Sequence, residues 1–248
     1  MSAFRNLVFT FAAAAGLCIP LQAGSTFSPC VAGTVAAYEG LSSDGGGCTV
    51  GILVFTAFNF SHLLNGQSVN DPDQITLTPI EGGFSLTQTS DSIQGIPLQV
   101  GPNDTAIYDI FWHYFVDVGP RSDAADMSMD PPFGNATVTQ FFCNESTLGI
   151  NSDNNPFCTG TGAAPPPLQS FSVHNPSPLV NSIIFSPPAT EGDVLTRIRL
   201  TGDGTTGAGF DSLAATQTTI PGDDTPEPVS IALAFGGLLG IALLRRRP

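Results

Sequence analysis

Between Thr105 and Val118 the chain reads TAIYDIFWHYFVDV, and no other stretch restricts the fold as tightly. Ala106, Tyr108, Ile110, Trp112, Tyr114 and Val116 share one parity; Asp109, His113 and Asp117 share the other, diluted by Phe111 and Phe115. A helix would crowd so many β-branched and aromatic side chains against its preceding turn. A strand puts successive side chains on opposite faces, giving one apolar face and one mixed face. The apolar face needs a second layer to cover it.

The rest of the body repeats this pattern more weakly. TVGILVFTAFNF reads as one long strand, with Val50, Ile52, Val54, Phe58 and Phe60 on one face and Leu53, Phe55 and Ala57 partly filling the other. QITLTPI and GFSLTQT are two strands joined by EGG, a hairpin signal. Further strands are expected at NATVTQFFC, LQSFSV, NSIIFS, VLTRIRLT and SLAATQTTI. NGQSVNDPDQ, PRSDAADMSMDPPFG, NSDNNPFCTGTGAAPPP and GDGTTGAGFD read as turn-rich loops. The best helical candidate is SPCVAGTVAAYEGL, with Val31, Val35 and Tyr38 or Leu41 near one face. About nine strands separated by turn clusters predict an all-β, antiparallel β-sandwich body over residues 24–221.

Both ends depart from this pattern. Residues 1–23 carry Arg5, then an apolar run from Leu7 to Ile19, then Pro20 and a small residue at Ala23, which is the layout of a secretory signal peptide. At the other end, residues 222–228 form a linker holding Pro226, Glu227 and Pro228. Residues 229–248 follow: an uncharged run from Val229 to Leu244, then Arg245, Arg246 and Arg247. Sixteen helical residues span ~24 Å, enough to cross a membrane with local thinning. The arginines would hold the far end in the cytoplasm and leave the body outside. Residues 24–225 hold twenty acidic residues and three arginines, a formal balance of −17, and the chain has no lysine. Such a surface repels phosphate backbones, so no nucleic-acid partner is expected.

Pro-Glu-Pro, a glycine-rich apolar helix and a terminal arginine cluster, with a signal peptide at the opposite end, resemble the PEP-CTERM sorting signal of exported bacterial proteins. The resemblance implies a Gram-negative type of host, often one that makes exopolysaccharide. It implies passage through the inner membrane and recognition by an exosortase, a membrane cysteine protease, with cleavage near Pro226–Pro228. These residues are then a handle for another enzyme. The resemblance implies an envelope-anchored or extracellular destination. The stretch CVAGTVAAYEGLSSDGGGCTVGILVFTAFNFS, with NDTAIYDIFWHYFV and LTRIRL, looks like a group of PEP-CTERM proteins with an all-β body.

Four cysteines remain once the signal is set aside: Cys30, Cys48, Cys143 and Cys158. An exported chain meets an oxidising compartment, so disulfides are expected. Three pairings are open. Cys30–Cys48 and Cys143–Cys158 are favoured because each closes a short, turn-rich loop, and the likeness just described supports the same choice. No C-x-x-C zinc spacing is present.

No motif announces catalysis. The three histidines are His62, His113 and His174, and no G-x-S-x-G elbow exists. A spatial triad, such as a serine with His174 and an aspartate, stays open as a second reading. Acidic loops raise calcium: Asn151, Asp153 and Asn155; Asp71 and Asp73; Asp203 and Asp211. Asx turns explain all three without a metal, so no cofactor is expected and calcium is the alternative. The leading expectation is a non-catalytic surface or matrix protein with a structural or adhesive role. The alternative is a secreted hydrolase or carbohydrate-binding protein on the same anchor.

Overall fold

The computed structural model describes residues 27–69, 71, 74–88, 98–116, 121–160 and 167–220. The signal segment, the linker with Pro226, Glu227 and Pro228, the apolar run and Arg245–Arg247 lie outside the described residues. Among the described residues, no helix is long and apolar enough to cross a membrane.

The elements begin with β1 (Ser28–Pro29), β2 (Gly33–Thr34), α1 (Val35–Ser43), β3 (Gly47–Val50), β4 (Leu53–Leu64) and β5 (Gln67–Val69). Next come β6 (Ile75–Ile80), β7 (Gly83–Gln88), β8 (Leu98–Val100), β9 (Thr105–Val116), β10 (Arg121–Phe133) and β11 (Asn135–Asn144). The remainder are β12 (Thr147–Ile150), β13 (Pro156–Thr159), β14 (Gln169–His174), β15 (Val180–Ala189), β16 (Glu191–Thr201) and β17 (Ala208–Ile220). One sheet runs β1-β3-β4-β9-β16-β11-β14, with β5 on β4; the other runs β15-β10-β17-β7-β6-β2, with β8 on β17. All pairings are antiparallel except β1 with β3. The all-β, antiparallel expectation is met.

The two sheets share one core. Phe84 of β7 sits with its ring 4.8 Å from Phe55, 5.8 Å from Phe58, 5.5 Å from Tyr38 and 6.2 Å from Trp112. All four contacts are edge-on, the arrangement that the ring quadrupole favours. The even residues of β9 from Ala106 to Tyr114 are all buried, as their parity requires. The EGG hairpin forms between Ile80 and Gly83. Gly82 adopts a φ of 79°, and a Cβ at Gly83 would run into the Ala215 carbonyl of β17.

Three expectations need correction. First, TVGILVFTAFNF is not one strand. Gly51 takes a φ of 62° and, with Ile52, turns β3 back onto β4, with Val50 opposite Leu53. Second, β4 contains a bulge: Thr56 pairs His113 but Asn59 pairs Phe111, and Ala57 has a φ of 53°. The extra residue switches parity, so Leu53 and Phe55 face the core before it, and Phe58 and His62 after it. Third, PRSDAADMSMDPPFG holds β10, which pairs β17 on one side and β15 on the other. Its core face is Ser122, Ala125, Met127 and Met129.

The helix is shorter than predicted, and its place depends on the bulge. α1 starts at Val35, capped by the Thr34 hydroxyl, which accepts from the Ala37 N–H. Val35 and Tyr38 are buried, whereas Val31 and Leu41 are exposed and form no part of an apolar face. Beyond the bulge, β4 has lost β3 as a neighbour. Ser42 Oγ accepts from the Phe58 N–H at 2.7 Å, and Glu39 Oε1 from the Phe60 N–H at 2.8 Å. The helix thereby satisfies a strand edge that no other strand covers. Burial raises the Glu39 carboxyl above the usual range, although the Phe60 N–H pulls it the other way.

Candidate functional site

The outer face of the eight-stranded sheet carries a cluster of charged groups. There the short hairpin β12–β13 lies over β9, β11 and β16. Cys143 and Cys158 are joined, with Cα atoms 5.4 Å apart, and Cys30 and Cys48 are joined at 4.8 Å. Leu148 and Cys158 of the hairpin pack with Cys143 and Leu195, flanked by Phe111, Phe141 and Leu168. That apolar patch is small, so charged contacts complete the attachment. Arg197 of β16 holds Asp109 of β9 with two parallel bonds of 2.7 Å, and also donates to Asn154 O at 2.9 Å and Asn154 Oδ1 at 3.1 Å. A planar guanidinium suits this bidentate arrangement. Asp109 and Arg197 are direct cross-strand partners, so sheet register fixes the pair.

Beside the hairpin lies an open cleft of about 480 Å³, with His113, Glu191 and Asp193 on one wall and Glu145, Ser146 and Thr147 on another. His113 of β9 and Asp193 of β16 are again cross-strand partners. The imidazole Nδ1 lies 2.7 Å from Asp193 Oδ1, and Nε2 lies 4.0 Å from Glu191 Oε2. Asp193 is buried, and its other oxygen accepts from the Leu148 N–H at 2.8 Å. The carboxylate thus orients the ring and fixes the hairpin together. Of the two ring nitrogens, Nδ1 is held by Asp193, and Nε2 is the one nearer Glu191. Ser146 Oγ is buried and has no partner, and no described hydroxyl hydrogen-bonds His113.

The other sequence-predicted residues are spread apart. His62 is buried, with Nδ1 2.7 Å from Asp71 Oδ1 and its ring stacked 4.2 Å from Tyr108. His174 ends β14, and its N–H donates to Pro178 O. Among the described residues, no hydrogen bond joins the His174 ring to a serine or an aspartate. His113, with Asp193, is the histidine set in a cleft. Parity did place His113 and Asp109 on one face of a strand, but their partners on β16 depend on register, which sequence does not give.

The calcium loops use their oxygens internally. Asn151 Oδ1 accepts from the N–H groups of Asp153 and Asn155, as in an Asx turn. Asp203 accepts from the N–H and hydroxyl of both Thr205 and Thr206. Those bonds, the Thr206 and Thr205 N–H groups first, hold its carboxyl far below the usual aspartate range. Among the described residues, no three His, Cys, Asp or Glu side chains converge as a metal site. Asp73 lies outside the described residues.

Comparison with known proteins found no family model that matches the chain and no curated protein that matches it.

Proposed function

We propose that this protein is an exported bacterial surface or extracellular-matrix component, sorted through its C-terminus and processed by an exosortase, with a structural or adhesive role. One observation carries the reading: Pro226-Glu227-Pro228, the apolar run and Arg245–Arg247 stand in that order at one end, opposite a signal-type N-terminus. In this reading the signal helix comprises residues 1–23, and the sorting helix, residues 229–248, crosses the inner membrane until cleavage. Two disulfides support it, because they persist in an oxidising compartment and are rare in the cytosol. An acidic, lysine-free sandwich is suited to a hydrated polymer matrix, exopolysaccharide included, and unsuited to anionic phosphate backbones. Replacing Pro226, Glu227 and Pro228 with alanine should leave the tail uncleaved and the protein in the inner-membrane fraction of its native host. Unaltered electrophoretic mobility and unaltered location would count against the reading.

A second reading keeps the same anchor and adds hydrolysis. The His113–Asp193 pair in an open cleft that Ser146 also lines is the observation that favours it. His113 would act as the base and Asp193 would orient it. Covalent labelling of Ser146 by a fluorophosphonate, abolished in His113→Ala, would establish this reading. Absence of labelling in the oxidised protein would leave the first alone.

A further inference from the structure

The geometry points to a water-binding site between the two sheets, held by three side chains drawn from both. Trp112 of β9 and Gln140 of β11 are each 2% exposed, and Gln217 of β17 is 7% exposed. Strand parity sends them inward. Trp112 follows Ile110, Gln140 lies between Val138 and Phe142, and Gln217 follows Leu213 and Ala215 on the opposing sheet. All three line one cavity of about 10 Å³. The indole Nε1, Gln140 Oε1 and Gln217 Oε1 are buried and lack a hydrogen-bond partner in the protein. The Gln140 amide nitrogen is already committed, donating to Thr196 Oγ1 at 2.9 Å.

The chemistry of the three atoms identifies the ligand. An indole N–H only donates, and an amide oxygen only accepts. One water accepts from the indole and donates to both glutamine oxygens, leaving none of the three buried groups unpaired. The cavity matches the room one water needs and excludes anything larger. Left unpaired, each group would carry its full desolvation penalty. Gly82, Thr216 and Gln217 also line an open cleft of about 470 Å³, which gives the water a route to solvent. The water joins the two sheets within a largely apolar core, fixing how they sit on one another.

Trp112 is the only tryptophan, so its indole N–H gives a single assignable NMR signal. In the oxidised full-length chain in detergent, that proton should show a cross-relaxation peak to water, with the sign of a water resident longer than molecular tumbling. In Gln217→Leu the peak should fall several-fold. Should that variant not fold, a crystal structure of the unmodified protein decides, through density within hydrogen-bond distance of all three atoms. An indole proton with no contact to water, or one bonded directly to a glutamine oxygen with the cavity closed, overturns the proposal.

Discussion

The inner face of the eight-stranded sheet meets a second sheet of seven strands, whereas its outer face meets a hairpin of four residues per strand. The inner contact is broad and aromatic, with Phe84 among the rings of Tyr38, Phe55, Phe58 and Trp112. The outer contact buries a small cluster around Leu148 and Leu195. The same strands, β9 and β16, serve both faces, and their alternation separates the two regimes. Where apolar area is ample, packing carries most of the attachment between the layers. Where it is scarce, the hairpin depends on the Cys143–Cys158 bond, the Arg197–Asp109 pair and Asp193. The sandwich should therefore unfold as a unit, and the hairpin should open by itself.

The sharpest way to break that contrast is Phe84→Ala. A fully buried ring removed from the shared core should cost about 3–5 kcal/mol of global stability, measured by denaturant unfolding. A loss below about 1 kcal/mol would show that the sheets do not depend on this cluster. Next in size is the double change Cys143→Ser with Cys158→Ser. Loop closure of this length is worth about 3 kcal/mol, and the loss should fall on the hairpin. Hydrogen exchange should rise across Thr147–Thr159 while β9 and β16 keep their protection. Equal loss across all three would contradict a separate hairpin. Arg197→Met should cost about 2 kcal/mol, less than a fully buried pair because the guanidinium side chain is 18% exposed. Much of that loss is the unpaired charge left on Asp109, so adding Asp109→Leu should recover part of it. Failure of the double variant to recover any would place the loss elsewhere.

The smallest effect at neutral pH distinguishes the inner face by titration. All three tyrosines are buried: Tyr38 and Tyr108 are pushed up to about 12, and Tyr114 is raised further, each mainly by burial. The charge of Asp71 adds to the effect on Tyr108. Their neutral forms are favoured in the folded state, so this stabilisation is complete below the unfolded tyrosine value of about 10 and is lost as pH rises through the folded values. Phenolate absorbance should stay flat past pH ~10 and then rise together with unfolding. A gradual titration centred near 10 in the folded protein would contradict the burial.

Much of this fold was legible because β9 alternates strongly, and because EGG and the two short cysteine loops are local signals. The bulge at Ala57 was not legible, since no turn residue marks it; the helix that covers the exposed strand edge explains it only in three dimensions. Strand β10 was missed because Asp123, Asp126 and Asp130 interrupt unbranched Met127 and Met129, a composition with little β preference of its own. Pairing on both sides imposes the strand. Of the cleft, His113 was visible as a polar residue within an apolar strand. Asp193 and Ser146 were not, because they reach it through sheet register and a disulfide-tethered hairpin.

The most direct test of the account is the non-reduced intact mass of the protein recovered from its native host. The predicted species begins at Gly24, ends near Pro226–Pro228, lies outside the inner membrane and is lighter by the four hydrogens lost in two disulfides. A reduced chain of all 248 residues, found in the cytosol, would contradict it.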